Sequence, residues 1–229
     1  MRSMSVCCLL LAGCFGARGS GVPDEEIREV GAFDEVRNTM NVEVNVVEGD
    51  AAEVFVRCDD NLLDLVRTEV SGGELRVTTR PNTWIRPQSE CFVDVITPTL
   101  RRLSGSGSGR TGAAGPLPDL ESVANSGSGR VLVEGLETQA LSIANSGSGG
   151  VEATGVGGFA ELANTGSGGI HAVDLSVDEA DIRNSASGSV SLTVVERATV
   201  RLSGSGNVRI LGRPRVDADD SGSGTVIVD

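Results

Sequence analysis

The sequence contains no lysine and no tyrosine, and it has one tryptophan and one histidine. Aromatic residues make up only 3% of its 229 residues, so the chain cannot build a bulky globular core, and a thin core of Val, Ile, Leu and Ala is expected. All 19 basic residues are arginine, against 32 acidic residues, which gives a formal net charge of −13. An acidic chain without a basic stripe argues against nucleic-acid binding and against electrostatic docking on anionic lipid.

The residues that usually carry chemistry are equally scarce. His171 has no second histidine and no matching cysteine or carboxylate spacing, so no zinc site is expected. Serines are abundant, but no Gly-x-Ser-x-Gly follows a strand and opens a helix, as a hydrolase nucleophile requires. A phosphate-binding loop would need a helix after its glycines and usually a lysine. We therefore predict no cofactor, no metal and no catalytic residue.

What the chain has in abundance is one short phrase, Ser-Gly-Ser-Gly, which occurs seven times with small variations. Successive copies start 20, 20, 19, 20, 18 and 18 residues apart. A fixed period near twenty is typical of a solenoid, in which each repeat is one coil stacked on the last. The seven copies are Ser106–Gly109, Ser126–Gly129, Ser146–Gly149, Thr165–Gly168, Ser185–Gly188, Ser203–Gly206 and Ser221–Gly224.

The residues around each copy alternate between apolar and variable, as in Val131-Leu-Val133 after the phrase and Leu141-Ser-Ile143 before it. This is the period of a β-strand. The sequence predicts an all-β fold, a β-helix of about seven Ser/Gly-cornered coils over residues 101–229. An irregular β region over 25–100 is expected to start and cap it, as part of one continuous domain.

Stacking of equivalent positions explains the corner residues. Unbroken alternation points Gly127 and Gly129 inward, where a side chain would obstruct a tight corner, and glycine also tolerates positive φ. Ser126 and Ser128 then face outward as part of a hydroxyl ladder. Stacked asparagine amides are expected to hydrogen-bond from coil to coil. That column comprises Asn125, Asn145, Asn164 and Asn184, and it is interrupted by Leu202 and Asp220.

The first residues are interpreted as a targeting segment. Arg2 and a short apolar run precede Leu11-Ala-Gly-Cys14, which resembles the lipobox of bacterial lipoproteins. The resemblance implies a signal peptide at 1–13, diacylation of Cys14 and a lipid-anchored protein of the cell envelope, on the outer membrane or its periplasmic face in a Gram-negative cell. An ordinary secretory signal or a short anchor is the alternative. The glycine-rich stretch at 14–24 is expected to be a flexible tether.

Two cysteines and the single tryptophan of the irregular region can be interpreted from the residues that flank them. Cys58 and Cys91 share the alternation of their valine neighbours and point inward, so either a disulfide or two buried free thiols is expected, with the disulfide favoured in an oxidising compartment. Trp84 lies between two prolines. It is interpreted as a lid over the end of the core, with an exposed contact as the alternative.

The order of motifs resembles the DUF2807 family, also named the putative auto-transporter adhesin head GIN domain. The resemblance spans Phe33 to Asp229 and rests on Gly72-Gly-Glu-Leu-Arg-Val77, the strand closing on Ile96-Thr-Pro-Thr-Leu100, and the serial Ser/Gly coils. It implies a β-helical envelope domain, often on lipoproteins, without catalytic residues or an established activity. The expected partner is an envelope protein or a glycan.

The last coil is the one place where an activity is conceivable. Asp217, Asp219 and Asp220 cluster near two arginines, and β-helical carbohydrate-active enzymes use paired carboxylates on one face. A solvated end of the solenoid is the alternative. Val226 and Val228 form an apolar rim there, so weak homotypic association is also expected, as in a self-assembling envelope scaffold.

The lipobox makes a direct prediction about Cys14. Metabolic labelling with an alkyne fatty acid should tag the wild-type protein, because the thiol of Cys14 is the acceptor of the lipid, and should not tag the Cys14→Ser variant. Equal labelling of both proteins would rule out lipidation at this residue.

Overall fold

The computed structural model describes residues 15–229, so the predicted signal peptide at 1–13 and the predicted lipidation site Cys14 lie outside the described residues. Strands account for 61% of the chain and helix for 1%, which confirms the all-β prediction. In chain order the strands are β1 (Phe15–Arg18), β2 (Pro23–Arg28), β3 (Glu35–Asn38), β4 (Glu43–Glu48), β5 (Glu53–Asp59), β6 (Val66–Ser71), β7 (Glu74–Thr79), β8 (Thr83–Arg86), β9 (Phe92–Thr97), β10 (Arg102–Gly105), β11 (Thr111–Ala114), β12 (Ser122–Asn125), β13 (Val131–Asn145), β14 (Val151–Asn164), β15 (Ile170–Asn184), β16 (Val190–Leu202), β17 (Val208–Leu211), β18 (Arg215–Asp220) and β19 (Val226–Val228). A 3₁₀ turn lies at Leu63–Leu65.

The strands from β10 onward stack in parallel, each coil on the one before, as a β-solenoid of about six turns. The difference from the seven coils predicted from the sequence is minor. Each full coil has three sides. In the coil of β13, for example, Val131 and Val133, then Leu136, then Leu141 and Ile143 point into the core and are buried.

The solenoid begins earlier than the Ser/Gly phrases suggest. Strands β3 and β4 pair in parallel with β10 and β11 and form a coil of their own beneath them. Strands β7 and β9 pair with the other edges of β3 and β4 and so form the layer below that coil. The order of the layers in space therefore differs from their order in the chain. Residues 49–100 come after β3 and β4 in the sequence, but their strands β7 and β9 lie on the opposite side of β3 and β4 from β10 and β11.

Antiparallel strands close this end of the solenoid. Strand β5 pairs antiparallel with β9 and with β2, and β6 forms a hairpin with β7. A disulfide joins Cys58 to Cys91, with 4.1 Å between the two Cα atoms, and thus bridges β5 to the residue that precedes β9. The shared inward direction of the two cysteines pointed to this pairing. The cap covers strand edges that would otherwise be open to other chains.

Of the two reasons expected for the corner glycines, the lack of room for a side chain is confirmed and the positive φ is not. None of them has a positive φ; the positive-φ glycines of the described chain lie elsewhere, at Gly21, Gly72, Gly73, Gly115, Gly135, Gly155 and Gly212. A Cβ atom at Gly147 would lie 2.0 Å from the carbonyl oxygen of Gly127, and at Gly149 it would lie 1.7 Å from that of Gly129. The missing side chain would therefore collide with the backbone of the preceding coil. The constraint is the distance between coils.

One natural exception shows the effect of a side chain at this position. At five corners the fourth residue donates its N–H to the carbonyl of the second residue one coil earlier, as Gly149 does to Gly127 at 3.1 Å. Ala186 replaces the second residue, a glycine elsewhere, of its corner. Within the described chain the corresponding bond from Gly188 to Gly166 is missing. The missing bond thus lies at the one Ser/Gly corner whose second residue carries a side chain.

The predicted asparagine ladder is confirmed, and it runs inside the solenoid. The amide of Asn125 donates to the side-chain oxygen of Asn145, Asn145 donates to Asn164, and Asn164 donates to Asn184, each at 3.2 Å. All four side chains are buried. Buried amides are tolerated when their donors and acceptors are paired, so the ladder fixes the register of these coils. Gly105 and Leu202 occupy the positions before and after it.

The structure contradicts the flexible tether from Phe15 onward. Strand β1 pairs in parallel with β8, Phe15 with Thr83 and Gly16 with Trp84. A Cβ atom at Gly16 would lie 2.7 Å from the indole ring, so this glycine permits close packing and does not mark a flexible linker. The lid interpretation of Trp84 is also wrong. The side chain of Ile85 is fully buried, whereas that of Trp84 points outward and is 41% exposed.

Asp59 holds the segment after β1 against the cap. Its buried carboxylate accepts hydrogen bonds from the backbone N–H of Gly21 at 2.8 Å and of Gln88 at 2.8 Å, and from the hydroxyl of Ser89 at 2.9 Å. Burial alone would raise the pKa of this carboxyl, but the hydrogen bonds favour the charged form and lower the pKa below its ordinary value of 3.8. The charged carboxylate therefore stabilises the folded state.

The corner geometry predicts that Gly147→Val destabilises the protein severely, by about 3 kcal/mol or more, because the coils must separate to admit the side chain. The matched control is Ser146→Val at the adjacent, exposed corner position, where the cost should stay within about 0.5 kcal/mol. Urea unfolding followed by circular dichroism measures both. Equal unfolding midpoints would contradict the collision.

Asp59→Asn should lower the free energy of unfolding by about 1–3 kcal/mol at neutral pH, since the amide cannot accept all of these bonds. Because the pKa in the folded state is lower than in the unfolded state, the stabilisation is complete above pH 3.8 and is lost as the pH falls through the folded pKa. Unfolding measured between neutral and strongly acidic pH should show the two proteins converging at the acid end. A constant difference at every pH would contradict a role for the charge.

Candidate binding surface

The outward serines of the corners form two parallel columns of hydroxyl groups, which we name the corner ladder. It comprises the first and third residues of each corner: Ser106, Ser108, Ser126, Ser128, Ser146, Ser148, Thr165, Ser167, Ser185, Ser187, Ser203, Ser205, Ser221 and Ser223. Thr39 and Asn41 extend the two columns by one coil toward the capped end. The backbone of Met40 and Val42 stacks against Gly107 and Gly109, so the residues just before them, Thr39 and Asn41, stack against Ser106 and Ser108. The amide of Asn41 donates in turn to the carbonyl of Ile85 at 3.1 Å. The outward direction of the serines is as predicted.

Beside the corner ladder runs an open depression of about 630 Å³, which we name the side groove. Its floor is backbone, since the residues there are glycines of three successive coils. One wall is the serine column, and the other carries charged and polar side chains. The lining residues are Ser108, Arg110, Ser128, Gly129, Arg130, Leu132, Ser148, Gly149, Gly150, Glu152, Gly168, Gly169 and His171.

The charges of the side groove are arranged in pairs. Arg130 lies 3.0 Å from Glu152, and Arg110 lies 3.8 Å from Glu43. The ring of His171 folds back over Gly169, whose Cβ position would be 2.9 Å from Nε2. The groove thus offers guanidinium donors, one carboxylate, one imidazole and a row of hydroxyls. These groups are suited to hydrogen bonding with a polar ligand.

Sequence reasoning singled out His171 but missed its companions in the groove. Arg110 and Arg130 follow the Ser/Gly phrase at the same position of adjacent coils, and Gly150 and Gly169 take that position in the next two. A comparison of the residue that directly follows the Ser/Gly phrase in each repeat would have revealed both the two arginines and the two glycines that leave space beside them. The alternation along a single strand does not show this pattern.

The last-coil aspartates lie on the exposed surface at the end of the solenoid. Asp217 and Asp219 point outward on β18 beside Thr199 and Arg201 of the preceding coil, and both are exposed. Asp220 occupies the asparagine position, where its carboxylate accepts the N–H of Gly222 at 3.1 Å. None of the three lines the side groove. Self-association through this coil, where Ile227 and Val228 are 39% and 49% exposed, remains a prediction.

Neither a metal cluster nor a membrane-spanning helix is found in residues 15–229. No group of three or more His, Cys, Asp or Glu residues is placed to hold a metal ion in this part of the chain. No helix in the same range is long and apolar enough to cross a membrane.

The molecule is thus a parallel β-solenoid with a polar groove along one corner. Residues 32–214 match the family model DUF2807, described as "Putative auto-transporter adhesin, head GIN domain". This match covers most of the chain, and the protein belongs to that family. No curated protein matches the sequence.

Solved structures share the fold at low sequence identity. A putative adhesin from Bacteroides fragilis superposes with a TM-score of 0.86 and 20% identity, covering 93% of this chain and 100% of its own. A putative lipid binding protein from Parabacteroides distasonis gives 0.78 and 22%, covering 94% and 100%. A putative adhesin from the same species gives 0.71 and 20%, covering 94% and 100%. At these identities the likeness establishes the fold alone.

Proposed function

We propose that this protein is a lipid-anchored, adhesin-like binding module of the cell envelope and that the side groove binds a glycan. The observation that carries the proposal is the groove itself. Glycine backbones leave room for a chain-like ligand, and hydroxyl, guanidinium, carboxylate and imidazole groups are distributed along the groove from coil to coil. Sugar hydroxyls need such a mixture of donors and acceptors. The family description as an adhesin head and the lipobox before Cys14 support an envelope location.

Binding without catalysis fits the arrangement of carboxylates. Glycoside hydrolases place two carboxyl groups on either side of the bond that is cut. Glu152 is the one carboxylate that lines the side groove, and it lies 3.0 Å from Arg130, so the groove lacks a second carboxyl group opposite it. The exposed aspartates of the last coil lie outside the side groove. We infer that the module holds its ligand and leaves it intact.

A glycan array probed with the labelled full-length chain in detergent tests this proposal. Arg130→Ala should reduce the signal on the bound glycans about tenfold or more, since a charge-assisted donor to the ligand is lost. Arg197→Ala is the matched control, because this exposed arginine lies on another side of the solenoid. It should bind as the wild type does.

Two results would contradict the proposal. Equal binding by the two variants would show that the side groove is not the contact surface. Shorter oligosaccharides recovered after incubation with the wild type but not with Glu152→Gln would show catalysis.

A further inference from the structure

The small sheet formed by β1 and β8 differs in charge from the rest of this acidic protein, so the net charge of the chain does not argue against docking of this sheet on anionic lipid. Along the two strands Ala17 and Ile85 turn toward the core, and Arg18, Trp84 and Arg86 turn outward. Neither strand contains a carboxylate, although the chain has 32. Arg80, in the loop just before β8, is exposed as well. The fold thus brings a basic and aromatic surface together from two parts of the chain that are more than sixty residues apart.

The arginines of this surface are not engaged by neighbouring acids. None of Arg18, Arg80 and Arg86 takes part in an ion pair within residues 15–229, whereas ion pairs hold many arginines elsewhere, such as Arg102 with Glu35. Arg18 donates to the side-chain oxygen of Gln88 at 3.2 Å. The guanidinium of Arg86 lies over the ring of Trp84, 4.0 Å from its centre. These charges are therefore available to an external anion.

The position of this surface relative to Cys14 is set by covalent connectivity. Cys14 immediately precedes Phe15, the first residue of β1, and Gly16 is the register partner of Trp84. Two residues of extended chain span only about 7 Å. Because β1 begins directly after Cys14, a lipid on that residue would hold β1 and β8 close to the membrane.

We propose that the β1–β8 sheet is the membrane-facing surface of the protein, with Trp84 at the level of the lipid headgroups and Arg18, Arg80 and Arg86 on anionic headgroups. This inference rests on the lipid anchoring in the proposed function. Tryptophan favours the boundary between water and hydrocarbon, and arginine near an anionic leaflet adds to the hold of a lipid anchor. The aspartates of the last coil then lie at the far end of the solenoid, about 40 Å from β7 at the capped end, because the strand pairings from β7 to β18 follow one another at the spacing of strands in a sheet.

Tryptophan fluorescence provides the test, because Trp84 is the only tryptophan of the chain. The full-length protein is purified from its envelope, and mass spectrometry establishes the lipid on Cys14. It is then inserted into vesicles of phosphatidylethanolamine and phosphatidylglycerol that contain phospholipids brominated near the headgroup end of the acyl chains. Trp84 emission should shift to shorter wavelength and be quenched about twofold or more, as expected of a side chain at the interface.

Two matched variants make the result specific. In Trp84→Phe combined with Phe159→Trp, the reporter moves to an exposed position on β14, several coils away, and should not be quenched. Reversal of charge at Arg18, Arg80 and Arg86 to glutamate should remove most of the quenching, whereas Arg197→Glu should not.

A lipidated protein in which Trp84 and the tryptophan at position 159 are quenched equally, or not at all, would overturn the membrane-facing surface alone. Quenching that is unchanged by charge reversal would overturn it as well. A chain without lipid on Cys14 would overturn the anchoring and this inference together. Glycan binding is measured independently, through Arg130→Ala, so its loss in the array would count against the side groove and leave the quenching result intact.

Discussion

The distance between the backbones of adjacent coils at the Ser/Gly corners is the constraint on which the rest of the structure depends. A Cβ atom at the inward corner positions would lie about 2 Å from a carbonyl oxygen of the preceding coil, as at Gly147 and Gly149. The second and fourth corner positions are therefore almost always glycine, and at the one Ser/Gly corner with an alanine, Ala186, the bond from Gly188 to Gly166 is missing. Close stacking in turn brings the asparagine amides within hydrogen-bonding distance and aligns the outward hydroxyls.

The same constraint shapes the candidate binding surface. Residues at the same position of successive coils stack in a column on the surface. Two or three such residues on neighbouring coils are therefore enough to form a wall of the side groove or to leave a gap in it. Arg110 and Arg130 form a basic end, and Gly150 and Gly169 leave the floor open beyond it. Variation at such columns can change what the groove binds without disturbing the corners, since the outward residues contact solvent and the corners carry the stacking.

The two ends of the solenoid are unlike. Near the start, antiparallel strands, the Cys58–Cys91 disulfide and the buried carboxylate of Asp59 close the fold and hold β1 against β8. At the far end the last strands carry exposed aspartates. An anchored protein with this polarity would present the corner ladder and the side groove along its length, away from the membrane, which is where an adhesin-like module has to meet its ligand.

The sequence by itself determined the features that recur about every twenty residues, namely the β-solenoid, the outward serines and the column from Asn125 to Asn184. Strand alternation also gave the inward direction of Cys58 and Cys91. These features follow from the alternation of side chains along a strand and from the stacking of identical residues at the same position of successive repeats, and both can be recognised in short stretches of sequence. Only the tertiary structure showed that the corner glycines are required by the closeness of the neighbouring coil and not by a positive φ. It also showed that residues 35–48 form a coil of the solenoid and that Gly16 packs on Trp84 and is not part of a flexible tether. It also brought Arg18 and Arg86 together in an acidic chain. Each of these depends on contacts between segments without a common period, and for such contacts a single sequence carries no local signal.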